Sequence, residues 1–327
     1  SGELIDPHNG KEDIRQQIIR AIGSPAARFS EDPLRMLRAC RFCAQLDFTV
    51  EESTLKGILN NADLIRNVSV ERVREEFSKI IASGSPRCGI LLMDKVGLLQ
   101  LLLPELTACK DVPQKGMHRF DVFNHSLMAM EFAENKLNVR LAALFHDLGK
   151  PQTLEYDENG QPTFYNHEKI SEEKTRAILR RFKFPKSVEK EVSALVRNHM
   201  FSYDSLKTDA AVRRFISRVG RDSLPDLFLL RRADSSRIIG EKHVCPRLAE
   251  LEDKIESVLR KETAFDLSDL NVDGNILFQD AGIPKGPEMG KVLSFLLEAV
   301  IDDPGMNTRE QLVELARNYY RKHIAIS

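Results

Sequence analysis

Apolar residues recur at helical spacing along almost the whole chain, and that pattern decides what it can fold into. Leu141, Ala142, Leu144, Phe145 and Leu148 fall on one helical face, and Leu34, Leu37 and Ala44 repeat the pattern upstream. We therefore expect an all-α fold: a multi-helix N-terminal block, a central helical block and a helical tail. One stretch departs from it, LEYDENGQPTFYNH, where Leu154 and Tyr156 precede Asn159-Gly160 and Phe164 and Tyr165 follow. It predicts at most a short hairpin near 154–165. The most apolar run, GILLMDKVGLLQLLLPEL, is broken by Asp94, Lys95 and Gln100. It reads as a buried helix pair turning near Gly97, not as a membrane span.

A chain of 327 residues exceeds what one core usually holds. Turn residues cluster in SGSPRCG (83–89), DVPQKGMH (111–118), DENGQP (157–162), NVDGN (271–275) and AGIPKGPEMG (281–290). These divide the chain into a lead-in (1–30), a helical block (31–111), a central block (112–240) and a tail (241–327). There is no internal repeat and no low-complexity tract. The sequence opens on Ser1 rather than methionine, as expected of a shortened or excised fragment. No basic stretch followed by an apolar one marks a signal peptide.

Hydrophobic residues make up 42% and charged residues 30%, an ordinary globular balance. The net charge of -1 provides no global field toward nucleic acid or a membrane. Local runs are another matter. Between Lys174 and Lys190 there are seven basic residues, Arg180 and Arg181 among them, and one acid. Between Arg213 and Arg237 there are seven arginines, including Arg214, against three aspartates. Solvated helix faces explain any one of these residues. Two such runs in one block point to a phosphate-facing surface, with Arg180, Arg181, Arg213 and Arg214 as its RNA contacts.

Five cysteines follow no framework spacing. Cys40 and Cys43 form a CxxC on a helical stretch with no second pair, so they read as packed core thiols rather than zinc ligands. Reduced thiols fit a cytoplasmic protein.

Chemistry concentrates at His146-Asp147, which ends the apolar helix LAALFHDLGK. A buried aspartate beside a histidine needs a partner, and a divalent cation satisfies both. Gly149 is expected to stop the helix, and Lys150 to place a positive charge just past the pair. One dipeptide is weak evidence, but others accompany it. His125 lies in FNHSLMAMEFA, His167 in FYNHEKISEEK, His199 in ALVRNHM and Asp234 in LFLLRRADSS. Each sits at the edge of an apolar helical segment. Half of the eight histidines fall in this set, which is more than scattered core histidines would explain.

The order H…HD…H…H…D resembles the HD-domain metal-dependent phosphohydrolases. That resemblance implies that His125, His146, Asp147 and Asp234 hold a first metal. His167 and His199 would extend the site toward a second, with Asp147 bridging and orienting the attacking water. A metal lowers the pKa of its water, and a second ion or Lys150 neutralises phosphoryl oxygens. Mixed His and Asp donors leave Mg, Mn, Ni, Co, Fe and Zn all open.

The N-terminal strings LIDPHNGKEDIRQQIIRAIG and RFSEDPLRMLRACRFCAQLDF are similar to class II tRNA nucleotidyltransferases and bacterial poly(A) polymerases, just after their catalytic head. SVERVREEFSKIIASGSPRCGILLMDKVGLLQLLLPEL continues the likeness through the family's body, and the segment from Asp269 resembles its tail. In that family an EDxxR motif on a neck helix reads the incoming nucleotide, ATP or CTP. It maps here to Asp32 and Arg35, with Arg38 and Arg41 further along the helix. Asp32 and Arg35 are expected to share a helix face and present an acceptor beside a donor. The resemblance implies tRNA or another RNA 3′ end as partner, gripped by shape and backbone charge.

One departure matters. The family's head carries a glycine-serine motif and a DxD carboxylate pair, and no DxD pair occurs in this sequence. The expectation is that the head was removed or resides on another chain, and that this polypeptide does not add nucleotides alone. Three readings stay open: an HD phosphohydrolase of the phosphatase or 2′,3′-cyclic phosphodiesterase type acting on RNA ends, a silent HD scaffold that binds RNA, or a hydrolase of free nucleotides.

Overall fold

The computed structural model describes residues 5–114, 120–236, 246–261 and 264–324. Two compact units emerge, one of Ser1–Met200 with Pro225–His243, the other of Phe201–Leu224 with Val244–Ser327. The segment Phe201–Leu224, which its sequence position assigned to the central block, thus clusters with the C-terminal unit. The boundary expected at 111/112 falls inside the first unit, and the one expected at 240 lies outside the described residues.

The first unit opens with α1 (Gly10–Gln16), α2 (Pro25–Glu31), α3 (Leu34–Leu46), α4 (Glu52–Asn61), α5 (Val70–Ile81), α6 (Pro86–Lys95), α7 (Leu98–Leu102) and α8 (Pro104–Thr107). α3 buries Leu34, Met36, Leu37, Ala39, Cys40, Cys43 and Ala44. α5 and α6 press close to it. A Cβ on Gly89 would lie 2.6 Å from Ile80 and 3.0 Å from Ala44, so only glycine lets α6 approach. Proline opens α2, α6 and α8, where its missing N–H costs no helical bond. Gly97, at φ 79°, makes the turn expected between α6 and α7.

Further along come α9 (Val122–Phe132), α10 (Leu137–Phe145), α11 (His167–Arg181) and α12 (Lys186–Asn198). Asp121 caps α9 by accepting from the Asn124 N–H at 2.8 Å. α10 is buried on every side from Val139 to Phe145, not on one face as the spacing suggested. Even Arg140 is enclosed; its guanidinium donates to the Ile81 and Ser83 carbonyls at 2.8 and 2.7 Å. A helix this enclosed is a rigid mount for whatever its C-terminus carries.

Two minimal sheets interrupt the helices. β1 (Ile18–Ile19) pairs in parallel with β2 (Thr49–Val50), which periodicity did not foretell. β3 (Glu155–Tyr156) pairs antiparallel with β4 (Pro162–Thr163), the expected hairpin. Its turn is fixed by Asp157, whose carboxylate accepts from the Asn159 and Gln161 N–H groups.

In the second unit, α13 (Asp209–Val219) is capped by Thr208. The chain then enters α14 (Leu224–Ser236), most of which belongs to the first unit. The second unit resumes with α15 (Pro246–Leu259), α16 (Gly274–Ala281), α17 (Pro287–Asp302) and α18 (Arg309–His323). Leu277, Val292, Leu296, Val300, Leu312 and Ala316 form its core. Among the described residues no helix is long and apolar enough to cross a membrane.

The cysteines correct one expectation. Cys43 is bonded to Cys88, because the close packing of α3 on α6 brings their Cα atoms to 6.5 Å. Cys40 and Cys109 are free and buried, and burial pushes each thiol up to about 12. Cys40 is the packed core thiol expected, whereas Cys43 is not the reduced thiol expected.

Candidate active site

α10 ends at Phe145, so His146 and Asp147 emerge together from a buried helix end. α9 brings His125, the start of α11 brings His167, the end of α12 brings His199, and α14 brings Asp234. Five helices thus deliver the six side chains to one place, all of them buried.

They form two clusters that share Asp147. On one side, Asp147 Oδ2 lies 2.9 Å from His125 Nε2 and 3.2 Å from His146 Nε2. Asp234 Oδ1 joins this side, 3.4 and 3.6 Å from the same two nitrogens. On the other, Asp147 Oδ1 lies 3.4 Å from His167 Nε2 and 3.8 Å from His199 Nε2. One carboxylate oxygen therefore faces each histidine pair. Lys150 Nζ sits 2.6 Å from Asp147 Oδ2 and donates to Gln114 Oε1 at 3.0 Å.

Three of the histidines are held in the same way. His146 Nδ1 donates to the Ala143 carbonyl, His167 Nδ1 to Phe164 and His199 Nδ1 to Val196, at 2.8, 2.7 and 2.7 Å. Each carbonyl lies three residues back along the chain. This bond fixes ring orientation and turns Nε2 inward.

The electrostatics are those of a site that wants a cation. Burial disfavours charge on His146, but the adjacent Asp147 and Asp234 outweigh it and hold its imidazolium up to about 9. Burial would raise Asp147, yet His146 and Lys150 hold it well below the usual carboxylate range. Burial, helped by His146, pushes His199 down to about 3, so its ring is neutral. Asp147 Oδ2 is ion-paired to Lys150 and crowded by the His125 and His146 nitrogens, none of which meets it in hydrogen-bonding geometry. A buried carboxylate oxygen ringed by imidazole nitrogens, with no directed hydrogen bond, fits a divalent metal.

A cavity of about 410 Å³ opens on this cluster, walled by Lys150 and Arg231 as well as by Phe164, Tyr165 and Met200. Arg231 Nη1 is 3.2 Å from Asp234 Oδ2. Its position three residues before Asp234 was a readable signal that sequence reasoning passed over. Gln114 carried no such signal.

Gly149 corrects a second expectation. Its φ of -80° is ordinary, so it is not a left-handed helix stop. What demands glycine is proximity. A Cβ there would lie 2.3 Å from the His167 carbonyl and 2.9 Å from Ser171 N. Its N–H donates to Ser171 Oγ at 2.8 Å, which ties the His146-Asp147 turn to α11.

The neck residues behave differently from their spacing. Asp32 and Arg35 do not share a helix face. Pro33 forces Asp32 into extended backbone at the end of α2, and Arg35 lies in the first turn of α3. Asp32 pairs with Arg72 at 3.1 Å, and Arg35 with Glu31 at 2.7 Å. Arg35, Arg38 and Arg41 do line one cavity, of about 520 Å³, together with Arg20, Arg28 and Lys79. The buried Glu76 anchors it, 3.3 Å from both Arg41 and Lys79.

The basic runs are corrected in part. Arg213 is 8% exposed and donates to the Ile301 and Asp302 carbonyls at 2.6 and 3.1 Å. It is enclosed structure, not an RNA contact. Arg180 pairs with Glu189, Arg181 with Glu105, and Arg214 with Asp302. These three keep partly exposed guanidinium groups.

Residues 118–237 match the family described as HD domain, and residues 47–110 match the one described as probable RNA and SrmB-binding site of polymerase A. The chain is 33% identical over 315 residues to an A-adding tRNA nucleotidyltransferase of Deinococcus radiodurans, covering 90% of this chain and 70% of that protein. It is 33% identical over 302 residues to a CC-adding tRNA nucleotidyltransferase of Thermus thermophilus, covering 88% and 67%. In fold it is similar to the Bacillus stearothermophilus CCA-adding enzyme solved in complex with CTP, with a TM-score of 0.67 at 22% identity, over 99% of this chain and 70% of that one.

Proposed function

Because this chain belongs to the tRNA nucleotidyltransferase family, we propose that its HD unit is a divalent-metal phosphohydrolase working on the phosphoester ends of RNA, of the phosphatase or 2′,3′-cyclic phosphodiesterase type. The observation that carries this reading is Asp147, with one oxygen toward His125 and His146 and the other toward His167 and His199. In it, His125, His146, Asp147 and Asp234 hold one ion, and His167 and His199 complete a place for a second across Asp147.

A divalent ion held there supplies a nucleophile at neutral pH and neutralises phosphoryl charge. The chain's own residues do the rest. Asp147 orients the attacking water. Lys150, anchored by Gln114, and Arg231 present cations to the phosphoryl oxygens. The carbonyls of Ala143, Phe164 and Val196 hold the imidazoles, so little reorganisation accompanies reaction.

RNA grip falls, on this reading, to the region 47–110 and to Arg180, Arg181 and Arg214, each exchanging a surface ion pair for a phosphate. Arg35, Arg38 and Arg41 would meet ATP or CTP presented by a nucleotidyltransferase head. Nucleotide addition would require that head, because this sequence holds no DxD pair.

The test is metal content together with hydrolysis of 2′,3′-cyclic AMP and bis-p-nitrophenyl phosphate. His146→Ala and Asp147→Ala should lose both metal and turnover. If both variants keep both properties, the hydrolase reading is abandoned and the HD fold is scaffold. Activity confined to free nucleoside triphosphates would move the substrate from RNA ends to the nucleotide pool.

A further inference from the structure

The cavity that opens on Asp147 has two chemically different kinds of wall. One is cationic and polar: Lys150, Arg231 and the ligand-type histidines. The other is apolar: Pro162, Phe164, Tyr165 and Met200. Two of its apolar members are unusually open to water for their type. Tyr165 is 74% exposed and Met200 56%. A scattered exposed tyrosine would signify nothing. These two lie together in the lining of the cavity that opens on the His–Asp cluster.

The two kinds of wall are also fixed to one another. Lys150 Nζ stands 5.3 Å from the centroid of the Phe164 ring. The Phe164 carbonyl receives the Nδ1 proton of His167, so the residue beside Tyr165 positions a cluster histidine. Asn166, in left-handed backbone at φ 60°, turns the chain sharply between Tyr165 and His167. The β3–β4 hairpin, locked by Asp157, holds Phe164 and Tyr165 from the other side. The aromatic wall is therefore mounted on the same short segment as the cluster.

We propose that Tyr165, with Phe164 and Met200, is a stacking platform for the base of a nucleoside phosphoester whose phosphate lies against Lys150 and the His–Asp cluster. The inference rests on the phosphoester reading of this site and adds the substrate's other half. A cavity of about 410 Å³ has room for one nucleotide rather than a base pair. The substrate is thus a single-stranded RNA end or a free nucleotide. Stacking uses a π-face that every base has, so selection among bases is weak while a base of some kind is required.

The experiment compares adenosine and uridine 2′,3′-cyclic phosphates, a short RNA ending in that group, and the base-free ribose 2,3-cyclic phosphate. Binding is read by calorimetry and turnover by formation of the ring-opened 2′- or 3′-phosphomonoester, on the whole chain. The wild type should bind either nucleotide roughly tenfold or more tighter than the base-free compound. Tyr165→Ala should lose that preference through KM rather than kcat, and Tyr165→Phe should keep it. Tyr156→Ala, an exposed tyrosine of the same hairpin outside the cavity, is the control and should match the wild type. Equal affinity for nucleotide and base-free compound, or a Tyr165→Ala protein that keeps the preference, overturns the platform and leaves the hydrolase reading standing. If nothing is hydrolysed, the hydrolase reading fails, and the calorimetric preference still decides the platform. Whether RNA or mononucleotide binds tighter identifies the source of the base.

Discussion

His167 Nε2 and His199 Nε2 face each other at 3.3 Å, while each ring gives its Nδ1 proton to a backbone carbonyl. Two inward-facing imidazole nitrogens at that distance are relieved only by a positive charge between them or beside them. Asp147 Oδ1 completes the triangle. Replacing His199 by alanine should therefore remove the second ion and spare the first. Metal analysis should show a fall from about two ions per chain to about one, with the remaining ion's affinity within roughly tenfold of wild type. An unchanged stoichiometry would remove His199 from the site.

A pH dependence follows from His146. Its imidazolium is held up to about 9 against an ordinary value of 6.5, by Asp147 and Asp234 acting against burial. A histidine raised on folding stabilises fully below pH 6.5, and that contribution is lost as pH climbs through about 9. Without metal, the protein should lose stability across this window. A metal must displace the same proton, so its affinity should rise over the same interval, by up to about tenfold per pH unit. Chelator competition at the two ends of the window measures this. A flat profile would mean that His146 is neutral before metal arrives.

Gly149 gives a packing prediction. An alanine methyl there meets the His167 carbonyl and Ser171 N, both backbone atoms that cannot swing aside. Gly149→Ala should cost about 1–3 kcal/mol by thermal or urea unfolding. It should also weaken metal binding through displaced His167, whereas Gly160→Ala, in the open hairpin turn, should leave the metal untouched. Normal metal binding by a destabilised Gly149→Ala protein would separate packing from site geometry.

How much of this could be read from the chain depends on what each residue needs. His125, His146, Asp147, His167, His199 and Asp234 were legible because each is a polar residue at the end or edge of an apolar helical segment. That placement has few other uses. The β3–β4 hairpin was legible from Asn159-Gly160. The partners of Asp32 and Arg35 were not. Periodicity assumes one helix, and Pro33 divides that stretch in two. The Cys43–Cys88 link and the Gly149 approach were equally hidden, because each depends on how two helices pack rather than on local spacing. The charge runs misled at Arg213. A run counts arginines and does not tell which of them a fold encloses.

Arg213 and Arg180 separate those two fates. Arg213 is buried and satisfies two carbonyls near the end of α17. Truncating it leaves Ile301 and Asp302 without their donor, at about 1–3 kcal/mol. Arg180 pairs with Glu189 on the surface, with its side chain 66% exposed, and solvent screening leaves such a pair with little effect on stability. Arg213→Ala should therefore lower the unfolding midpoint and leave the salt dependence of tRNA binding unchanged. Arg180→Ala should leave the midpoint almost unmoved and reduce the slope of log affinity against log salt by about one. Both quantities come from the same two variants, by denaturant titration and by tRNA binding at rising salt. If Arg213→Ala folds normally and loses the salt slope instead, the buried arginine is an RNA contact after all, and the basic run would have to be read as the sequence first suggested.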